Sequence, residues 1–367
     1  MQAVAKTSRR GVIGAAATAA VITAVGALGL LRRSEREPGP TLGGTIPTTT
    51  IPGSTMHYRD FGSTGMKVSE VGFGAWGIGG QAYGEADRQE SLRALARAEE
   101  LGCNFVDTAA VYGDSEAVLG EFLRGRRDKW VISTKFSAQP EGMERTIEGQ
   151  LQRLGTDTID FYQVHWAPGR GEQELYEGLY RLKKSGKARA VGVSLKTAND
   201  IDRVLSDTDI DGFMVRFSLL DPEPFLSRLR PLRAKRPAVI VRSALKEGFL
   251  TGKYGRDVKF TDPNDQRSTW TREQVEAAVD AVERFRFLEG ETGSMIVAAA
   301  AYPLAFPETS TVILGTDKVS YADTNFGAVP GTRLSAASLE RIHALQIEMG
   351  LRSRRELLTE KLRSFFS

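Results

Sequence analysis

Four residues able to carry out acid–base chemistry stand at or just beyond the ends of consecutive apolar segments. Asp107 closes segment 104–107 and Tyr112 follows shortly after it, whereas Lys135 and His165 close the next two segments. A phenol is a weak acid at neutral pH, and a neighbouring ammonium group stabilises its anion and so helps it to release a proton. A carboxylate would hold that ammonium, and a histidine could hydrogen-bond a carbonyl oxygen as negative charge develops on it. These residue types suit proton transfer to a carbonyl oxygen.

The segments that must position these residues repeat along the chain. Eight short apolar segments have the composition of buried strands: 68–73, 104–107, 130–135, 159–165, 188–194, 212–217, 238–242 and 311–315. Between them, apolar positions recur every three to four residues, which predicts helices such as 88–101, 115–123, 142–154 and 173–184. Eight strand–helix units predict the α/β fold of a (β/α)8 TIM barrel. Because the carboxyl ends of barrel strands meet at one face, the four residues should lie together there.

The composition narrows the possible functions. Lysine and arginine number 49 against 46 aspartate and glutamate residues, and no dense basic segment accompanies the formal charge of +3, so we expect no nucleic-acid partner. Cys103 is the single cysteine and the three histidines are scattered, which argues against a disulfide and against a metal site. We therefore expect a small organic molecule as the substrate.

The amino-terminal residues have a different character. Arg9 and Arg10 precede an uncharged segment, 11–31, that is rich in glycine, alanine and threonine and only weakly hydrophobic. This is the layout of a targeting segment. The sequence Ser-Arg-Arg-Gly-Val-Ile at 8–13 resembles a twin-arginine export signal. We predict that residues 1–35 direct the protein to the periplasm or another extracytoplasmic location through the twin-arginine export machinery.

A membrane anchor formed by residues 11–31 is the alternative, because this segment is about long enough to span a bilayer by the rule of roughly 20 residues. In either case we expect membrane contact only through the amino-terminal segment. The remaining divisions are a Pro/Gly/Thr-rich linker at 36–55, the barrel at 56–330 and a carboxyl-terminal helical extension at 331–367. The connection 246–271 is long enough to cover part of the site.

The segments around the four residues resemble those of the aldo-keto reductases. Residues 105–120, Phe-Val-Asp-Thr-Ala-Ala-Val-Tyr-Gly-Asp-Ser-Glu-Ala-Val-Leu-Gly, are similar to the family signature, and Ser-Thr-Lys at 133–135, Val-His-Trp at 164–166 and Val-Gly-Val-Ser at 191–194 resemble its later blocks. The resemblance covers about residues 56–329 and implies a barrel that binds an extended nicotinamide cofactor at its carboxyl face. It also implies a catalytic tetrad of Asp107, Tyr112, Lys135 and His165. The implied reaction is hydride transfer from NADPH to an aldehyde or ketone carbon while Tyr112 protonates the oxygen, or the reverse oxidation of an alcohol.

The resemblance further implies a set of cofactor contacts: Gly74, Ala75, Trp76, Ser194, Met214, Arg242, Ser243, Leu245, Leu250, Gly252, Lys253, Gly315, Thr316, Lys318 and Asn325. Trp76 and Trp166 would line the substrate pocket. The family commonly has asparagine where this chain has Leu195 and glutamine where it has Met214. Arg242 takes the place of an aromatic residue that stacks on the nicotinamide; its planar guanidinium could stack instead, or it could simply be an ion-paired strand end.

NADP is the predicted cofactor, with NAD possible. A 2′-phosphate is best bound by arginine or lysine, but Asp317 and Tyr321 occupy positions where many family members carry basic residues, which leaves Lys318 as the local cation. Two other functions stay open: a cofactor-binding regulatory subunit of a membrane-associated complex, and a barrel with lyase or isomerase chemistry. The complete set of four residues favours the reductase.

Overall fold

The computed structural model describes residues 48–50, 55–80, 86–138 and 140–352. The predicted export signal or anchor, residues 1–35, lies outside the described residues, as do most of the linker and residues 353–367. The strands are β1 Thr49–Thr50, β2 His57–Asp60, β3 Lys67–Ser69, β4 Val71–Gly74, β5 Phe105–Asp107, β6 Val131–Phe136, β7 Ile159–Val164, β8 Ala188–Leu195, β9 Gly212–Arg216, β10 Ala238–Arg242 and β11 Thr311–Gly315. Strands β4 to β11 pair in parallel in chain order, and β11 closes on β4. This confirms the predicted (β/α)8 barrel.

The helices lie on the outside of this barrel. They are α1 Arg88–Glu100, α2 Ser115–Phe122, α3 Met143–Leu154, α4 Gln173–Lys184, α5 Ala198–Asp207, α6 Leu229–Lys235, α7 Arg272–Glu283, α8 Glu289–Thr292, α9 Met295–Leu304, α10 Val319–Ala322 and α11 Ala336–Glu348. Several of them begin at a capping side chain. At the start of α7, for example, the Thr271 hydroxyl accepts from the backbone N–H of Gln274, and the Gln274 side chain accepts from the backbone N–H of Thr271. In the described part of the chain, none of these helices is both long and apolar enough to cross a bilayer.

An antiparallel sheet of β1, β2 and β3 precedes the barrel and closes its amino-terminal end. Phe61, Met66 and Val68 from this sheet pack against inward-facing residues of the barrel strands. The ring of Phe61 meets the edge of Phe161 at 5.1 Å between centroids. Gly62 is required here, because a Cβ at this position, where φ is +56°, would lie 2.2 Å from the backbone nitrogen of Ala238.

The sequence pattern predicts one strand over 68–73, but the structure divides it at Glu70. The backbone N–H of Glu70 donates to His57 in the amino-terminal sheet, whereas its carbonyl accepts from Val312 in the barrel. Its buried carboxylate is held by Arg59 and Arg333 at 3.0 and 2.9 Å. Glu70 is therefore the point where the chain leaves one sheet and enters the other, and the apolar pattern runs through it without a break.

Side chains of the barrel strands alternate between the barrel interior and the helices. Phe105, Val131 and Phe161 belong to the inner cluster, whereas their neighbours Val106 and Ile132 belong to the outer core. Because the period is two, Asp107 shares the inward direction of Phe105. By the same rule, Lys135 shares that of Val131 near the carboxyl end of its strand.

The long connection between β10 and α7 is built around an aromatic cluster. Phe249 and Trp270 stack at 5.0 Å between ring centroids, and Tyr254 and Phe260 pack against Phe249. The guanidinium of Arg267 lies over Phe260 at 4.3 Å and is paired with a carboxylate in the same segment. The connection is an ordered cover with its own core, which explains how so long a segment without strands can keep one shape.

Candidate active site

The carboxylate of Asp107 and the ammonium of Lys135 form a buried ion pair at the carboxyl ends of β5 and β6. Lys135 Nζ donates to Asp107 Oδ2 at 2.5 Å, and the side chains are 0% and 2% exposed. The same Nζ donates to the carbonyl of Thr108 at 2.7 Å and to the hydroxyl of Tyr112 at 3.5 Å. Three of the four residues predicted from the sequence thus form one chain of polar contacts ending at a phenol.

Lys135 keeps its positive charge despite complete burial. Burial alone favours the neutral amine, but the Asp107 carboxylate and the Tyr112 hydroxyl outweigh it and raise the pKa of Lys135 above its ordinary value. The ammonium also lies 4.9 Å from the centroid of the Tyr112 ring. The ammonium, paired with Asp107, therefore faces the phenol oxygen from the barrel interior.

Asp107 is held in place by two further side chains from the barrel interior. Its Oδ1 accepts from Ser133 at 2.8 Å and from Gln163 at 3.3 Å, and Gln163 also donates to Ser133 at 2.8 Å. Neither Ser133 nor Gln163 is among the site residues predicted from the sequence. Each stands two residues before Lys135 or His165, so strand alternation places it on the same face, and that spacing is the signal that could have identified it.

Tyr112 lies in the loop between β5 and α2, and the loop is fixed by close backbone packing. A Cβ at Gly79 would lie 1.8 Å from the carbonyl oxygen of Tyr112, so only glycine permits this approach. Ser115 donates to the carbonyl of Ala75 at 2.8 Å and shares a 2.8 Å hydrogen bond with Thr108. The Tyr112 ring is therefore presented from a rigid loop.

His165 follows β7 and is the fourth member of the group. Its ring meets the Tyr112 ring edge-on at 5.8 Å between centroids, and its Nδ1 bonds the hydroxyl of Ser137 at 2.9 Å. Burial, followed by the charges of Lys135, Arg242 and Lys196, lowers the pKa of His165 to about 3. The imidazole is thus neutral at physiological pH and can act as a hydrogen-bond donor rather than as a cation.

Two tryptophans accompany the acid–base residues: Trp76 lies beside the Tyr112 ring, and Trp166 is the neighbour of His165 in the chain. The Trp76 ring lies 6.1 Å from that of Tyr112, between centroids. Trp166 directly follows His165, and its Nε1 donates to Glu172 at 3.2 Å. Both indoles are only partly buried, and Val111, next to Tyr112 in the chain, is 53% exposed. This side of the mouth is apolar and open.

The predicted contacts for the phosphate and adenosine end lie around β11. Tyr321 is flanked by two ammonium groups, with Lys253 Nζ at 5.8 Å and Lys318 Nζ at 5.7 Å from its ring centroid. Gly315 ends β11 with open space where a Cβ would stand, and Asn325 donates to Thr316 at 2.9 Å. An exposed glycine backbone beside two cations and an aromatic ring fits a nucleotide carrying phosphates.

The nicotinamide end is less polar than the resemblance implies. Met214 is 1% exposed and packs in the inner apolar cluster, and Leu195 faces the outer core. Ala75 and Leu250 are also fully buried, so their side chains are not presented at the mouth. Arg242, in contrast, is only partly buried at the end of β10. Ser194, Arg242 and Ser243 are therefore the polar side chains among the predicted contacts here.

A closed parallel barrel with an acid–base cluster at its carboxyl face defines an enzyme of the (β/α)8 class. The family model described as "Aldo/keto reductase family" matches residues 70–347. The chain therefore belongs to the aldo/keto reductase family, and it is an oxidoreductase.

Related proteins extend this comparison. The chain is 29% identical over 302 residues to an NADP(+) aldo-keto reductase of Schizosaccharomyces pombe, covering 75% of this chain and 87% of the relative. It is 29% identical over 262 residues to an NADH-specific methylglyoxal reductase of Escherichia coli, covering 63% and 80%. A solved glycerol dehydrogenase from Gluconobacter oxydans superposes with a TM-score of 0.68 at 25% identity, covering 83% and 96%. The predicted cofactor, NADP with NAD possible, is consistent with these names.

Proposed function

We propose that this protein reduces an aldehyde or ketone with NADPH, or oxidises the corresponding alcohol, and that Tyr112 is the general acid or base. The observation that carries the proposal is the position of Lys135 Nζ, 2.5 Å from Asp107 and 3.5 Å from the Tyr112 hydroxyl. A buried ammonium held by a carboxylate stabilises the phenolate left after proton transfer.

A nicotinamide cofactor, when bound, would supply the hydride. Tyr112 gives its hydroxyl proton to the carbonyl oxygen, and the resulting negative charge on Tyr112 is stabilised by Lys135. Asp107 keeps Lys135 at this position, and Ser133 and Gln163 keep Asp107 in place. Neutral His165 donates a hydrogen bond to the same carbonyl oxygen and so orients the substrate. In the alcohol direction, the Tyr112 phenolate accepts the hydroxyl proton.

The cofactor is held, in this proposal, by the residues predicted from the sequence. Lys253 and Lys318 interact with phosphate groups, while the exposed backbone at Gly315 lets the nucleotide approach closely. Arg242 offers a flat cation at the end of β10 for the nicotinamide ring. Of the polar side chains that bind the nicotinamide amide in the family, this chain keeps Ser194, because Met214 is apolar and buried in the barrel interior.

Turnover tests this proposal directly. The purified protein is mixed with NADPH and a panel of aldehydes, ketones and quinones, and the loss of nicotinamide absorbance is followed. We expect oxidation of NADPH that depends on both the protein and the carbonyl compound. Tight binding of NADPH without turnover of any member of the panel would instead favour the regulatory-subunit function, and no binding at all would contradict both.

For localisation, we propose export of the folded protein, with cofactor bound, through the twin-arginine machinery. The support is the sequence Ser-Arg-Arg-Gly-Val-Ile at 8–13, which lies outside the described residues, before the weakly apolar segment 11–31. Export in the folded state would allow a nucleotide to be bound before translocation. An uncleaved anchor formed by 11–31 remains the alternative form of this proposal.

Cell fractionation tests the export route. The variant carrying Arg9→Lys and Arg10→Lys should stay in the cytoplasm, and protein from the exported fraction of wild-type cells should release nicotinamide nucleotide on denaturation. Unchanged localisation of the double variant would contradict the route. Exported protein that is active but free of nucleotide would contradict only the loading step, and retention in membranes after an alkaline wash would favour the anchor.

A further inference from the structure

Two guanidinium groups stand side by side at the mouth of the barrel. Arg216 ends β9 and Arg242 ends β10, and the two residues are directly opposite in the strand register. Met214 and Ile240, two residues earlier on each strand, face the barrel interior. Strand alternation therefore turns both arginines toward the barrel axis, on the face that carries Tyr112 and His165.

These guanidiniums have few acceptors. Among the hydrogen bonds of the described residues, Arg242 makes one, a 3.5 Å contact with the carbonyl of Leu195, and Arg216 makes none. The carboxylate of Glu247 lies 3.8 Å from Arg216, beyond hydrogen-bond distance. Each guanidinium has five N–H donors. Most of these donors thus have no acceptor among the described residues.

The positive charge of the pair is only partly compensated, by Glu247 and, at longer range, by Asp221. Burial, followed by repulsion from Arg216, lowers the pKa of Arg242, which means that the surroundings disfavour its charge. Nearby cations are satisfied differently: Lys246 binds both oxygens of Asp221, at 3.0 and 2.9 Å, and Lys135 is paired with Asp107. An anion between the two arginines would relieve both desolvation and repulsion.

The opposite side of the mouth is apolar. Val111, 53% exposed, and the partly buried rings of Trp76 and Trp166 lie on the Tyr112 side. A substrate whose carbonyl reaches Tyr112 and His165 would therefore meet apolar surface on one side and guanidinium groups on the other. The substrate that fits this mouth is therefore a molecule with an apolar body and an acidic group.

We propose that Arg216 and Arg242 bind the carboxylate of the substrate, so that the enzyme acts on carbonyl compounds that also carry a carboxylate group. The forked donors of a guanidinium match the two oxygens of a carboxylate. The flat face of Arg242 stays available to the nicotinamide ring, because the donors lie at the edge of the group. This inference rests on the proposed reductase function and names its substrate class.

The test compares two substrates that differ only in charge, 4-carboxybenzaldehyde and its methyl ester, at saturating NADPH. For the wild-type protein we expect kcat/KM to be about tenfold or more higher for the acid, as a charge-assisted guanidinium contact implies. Arg216→Met should remove most of this preference by lowering kcat/KM for the acid alone. Arg216→Lys should keep part of it, and added salt should weaken turnover of the acid only.

Arg256→Met is the matched control, because Arg256 is an exposed arginine of the connection after β10 and pairs with α7 residues away from the mouth. It should leave the preference unchanged. A readout without turnover is the binding of terephthalate, followed by protein fluorescence, which should weaken about tenfold in Arg216→Met.

Equal kcat/KM for acid and ester in the wild-type protein would overturn the inference while leaving the reductase function intact. A rise in the dissociation constant for NADPH in Arg216→Met, with an unchanged acid preference, would assign the arginines to cofactor phosphate and also overturn it. Absence of turnover with every carbonyl compound would refute the reductase function itself, and this inference with it.

Discussion

The carboxylate of Glu116 accepts a 2.7 Å hydrogen bond from the hydroxyl of Thr134 and so joins the helix after Tyr112 to the strand that carries Lys135. Glu116 is 2% exposed and also accepts two hydrogen bonds from Arg153, at 2.9 and 2.7 Å. Gln150 donates to Glu116 at 2.7 Å and to the carbonyl of Lys135 at 3.2 Å. This buried network fixes the spacing between the phenol and the ammonium without touching either group.

Glu116→Gln should therefore change catalysis through geometry. Loss of the charge weakens the Arg153 and Thr134 contacts, so the loop of Tyr112 can shift relative to Lys135. We expect kcat to fall by about tenfold, since a misplacement of about 1 Å can cost roughly 10², while KM changes little. The pH dependence of kcat should also shift, because the ammonium contact of Tyr112 changes. Steady-state kinetics across a pH series measures both.

Asp160→Asn is the control for this prediction. Asp160, like Glu116, is a buried carboxylate held by arginine: it is 1% exposed and pairs with Arg127 and Arg189, but it lies near the start of β7, at the other end of the barrel. It should lower the melting temperature to a similar degree and leave the pH profile of kcat in place. If both variants moved the profile equally, the effect of Glu116 would be general destabilisation.

Tyr112→Phe should abolish carbonyl reduction and leave NADPH affinity nearly unchanged, because it removes the proton donor and little binding surface. General acid catalysis contributes roughly 10²–10⁴ in rate, and the loss should fall in that range. Lys135→Met should be comparably severe, since it removes the charge 3.5 Å from the phenol. Rates come from single-substrate kinetics and affinities from fluorescence quenching. A Tyr112→Phe protein that retained more than about a tenth of the rate would contradict the assignment.

Cofactor preference should depend on the residues beside Tyr321. Lys318→Ala is expected to lower the ratio of kcat/KM for NADPH over NADH by about fivefold to tenfold, because it removes a cation from the expected 2′-phosphate position. Asp317→Arg should raise the ratio. Lys67→Ala serves as a control, since Lys67 is an exposed lysine of the amino-terminal sheet paired with Asp60. Equal or better use of NADH by the wild-type protein would contradict the preference and favour Asp317 as an acceptor for ribose hydroxyls.

Much of this fold was readable from the sequence because its strands are buried and short. The predicted segments 104–107, 130–135 and 159–165 agree within one residue at each end with β5, β6 and β7. The neighbourhood of Asp107, Tyr112 and Lys135 was also predictable, since parallel strands in chain order bring their carboxyl ends together. The closure of the barrel and the contacts of its ion pair thus follow from local pattern and topology.

Other relationships needed the structure because they depend on register or on distant side chains. The pairing of Arg216 with Arg242 follows from the register of β9 and β10, which no local pattern specifies. Met214 is placed by strand alternation in the apolar interior, although the family resemblance suggested a cofactor contact. The division of segment 68–73 depends on a carboxylate held by Arg333, far along the chain. In each case the residues that determine the arrangement are distant in the chain from the segment whose pattern predicts the strand.

Glu70→Gln should destabilise the protein without a direct effect on the site. Glu70 is 0% exposed and neutralises Arg59, which is 3% exposed, so the substitution leaves a buried guanidinium uncompensated. Breaking one partner of a buried pair costs roughly 3–5 kcal/mol. Urea unfolding measures the loss, with Glu121→Gln as a control. The pair of Glu121 with Arg88 is exposed, so its loss should cost less than about 1 kcal/mol, and a similar cost for both variants would contradict the prediction.

The buried ring of His343 should make the protein less stable as the pH falls from 6.5. His343 packs against Tyr302 and Phe306, each 6.4 Å away between ring centroids, and its Nε2 has no hydrogen-bond partner among the described residues. Burial, followed by the charge of Arg352, lowers the pKa of His343 to about 4.

The direction of the effect follows from proton binding. Above pH 6.5 the ring is neutral in both the folded and the unfolded state. Between about pH 6.5 and 4 the unfolded chain binds a proton that the folded chain excludes, so acidification favours unfolding. The loss should amount to roughly 3 kcal/mol by the lower end of that range. We expect the unfolding free energy of His343→Gln to depend less steeply on pH between these values, once its stability difference at neutral pH is subtracted. The difference in slope should correspond to up to about one proton bound on unfolding. Urea unfolding of both proteins at a series of pH values measures the two slopes. The buried carboxylates and His165 titrate in both proteins, so their contributions cancel when the slopes are compared. Parallel slopes would show that His343 takes up its proton equally well in the folded protein.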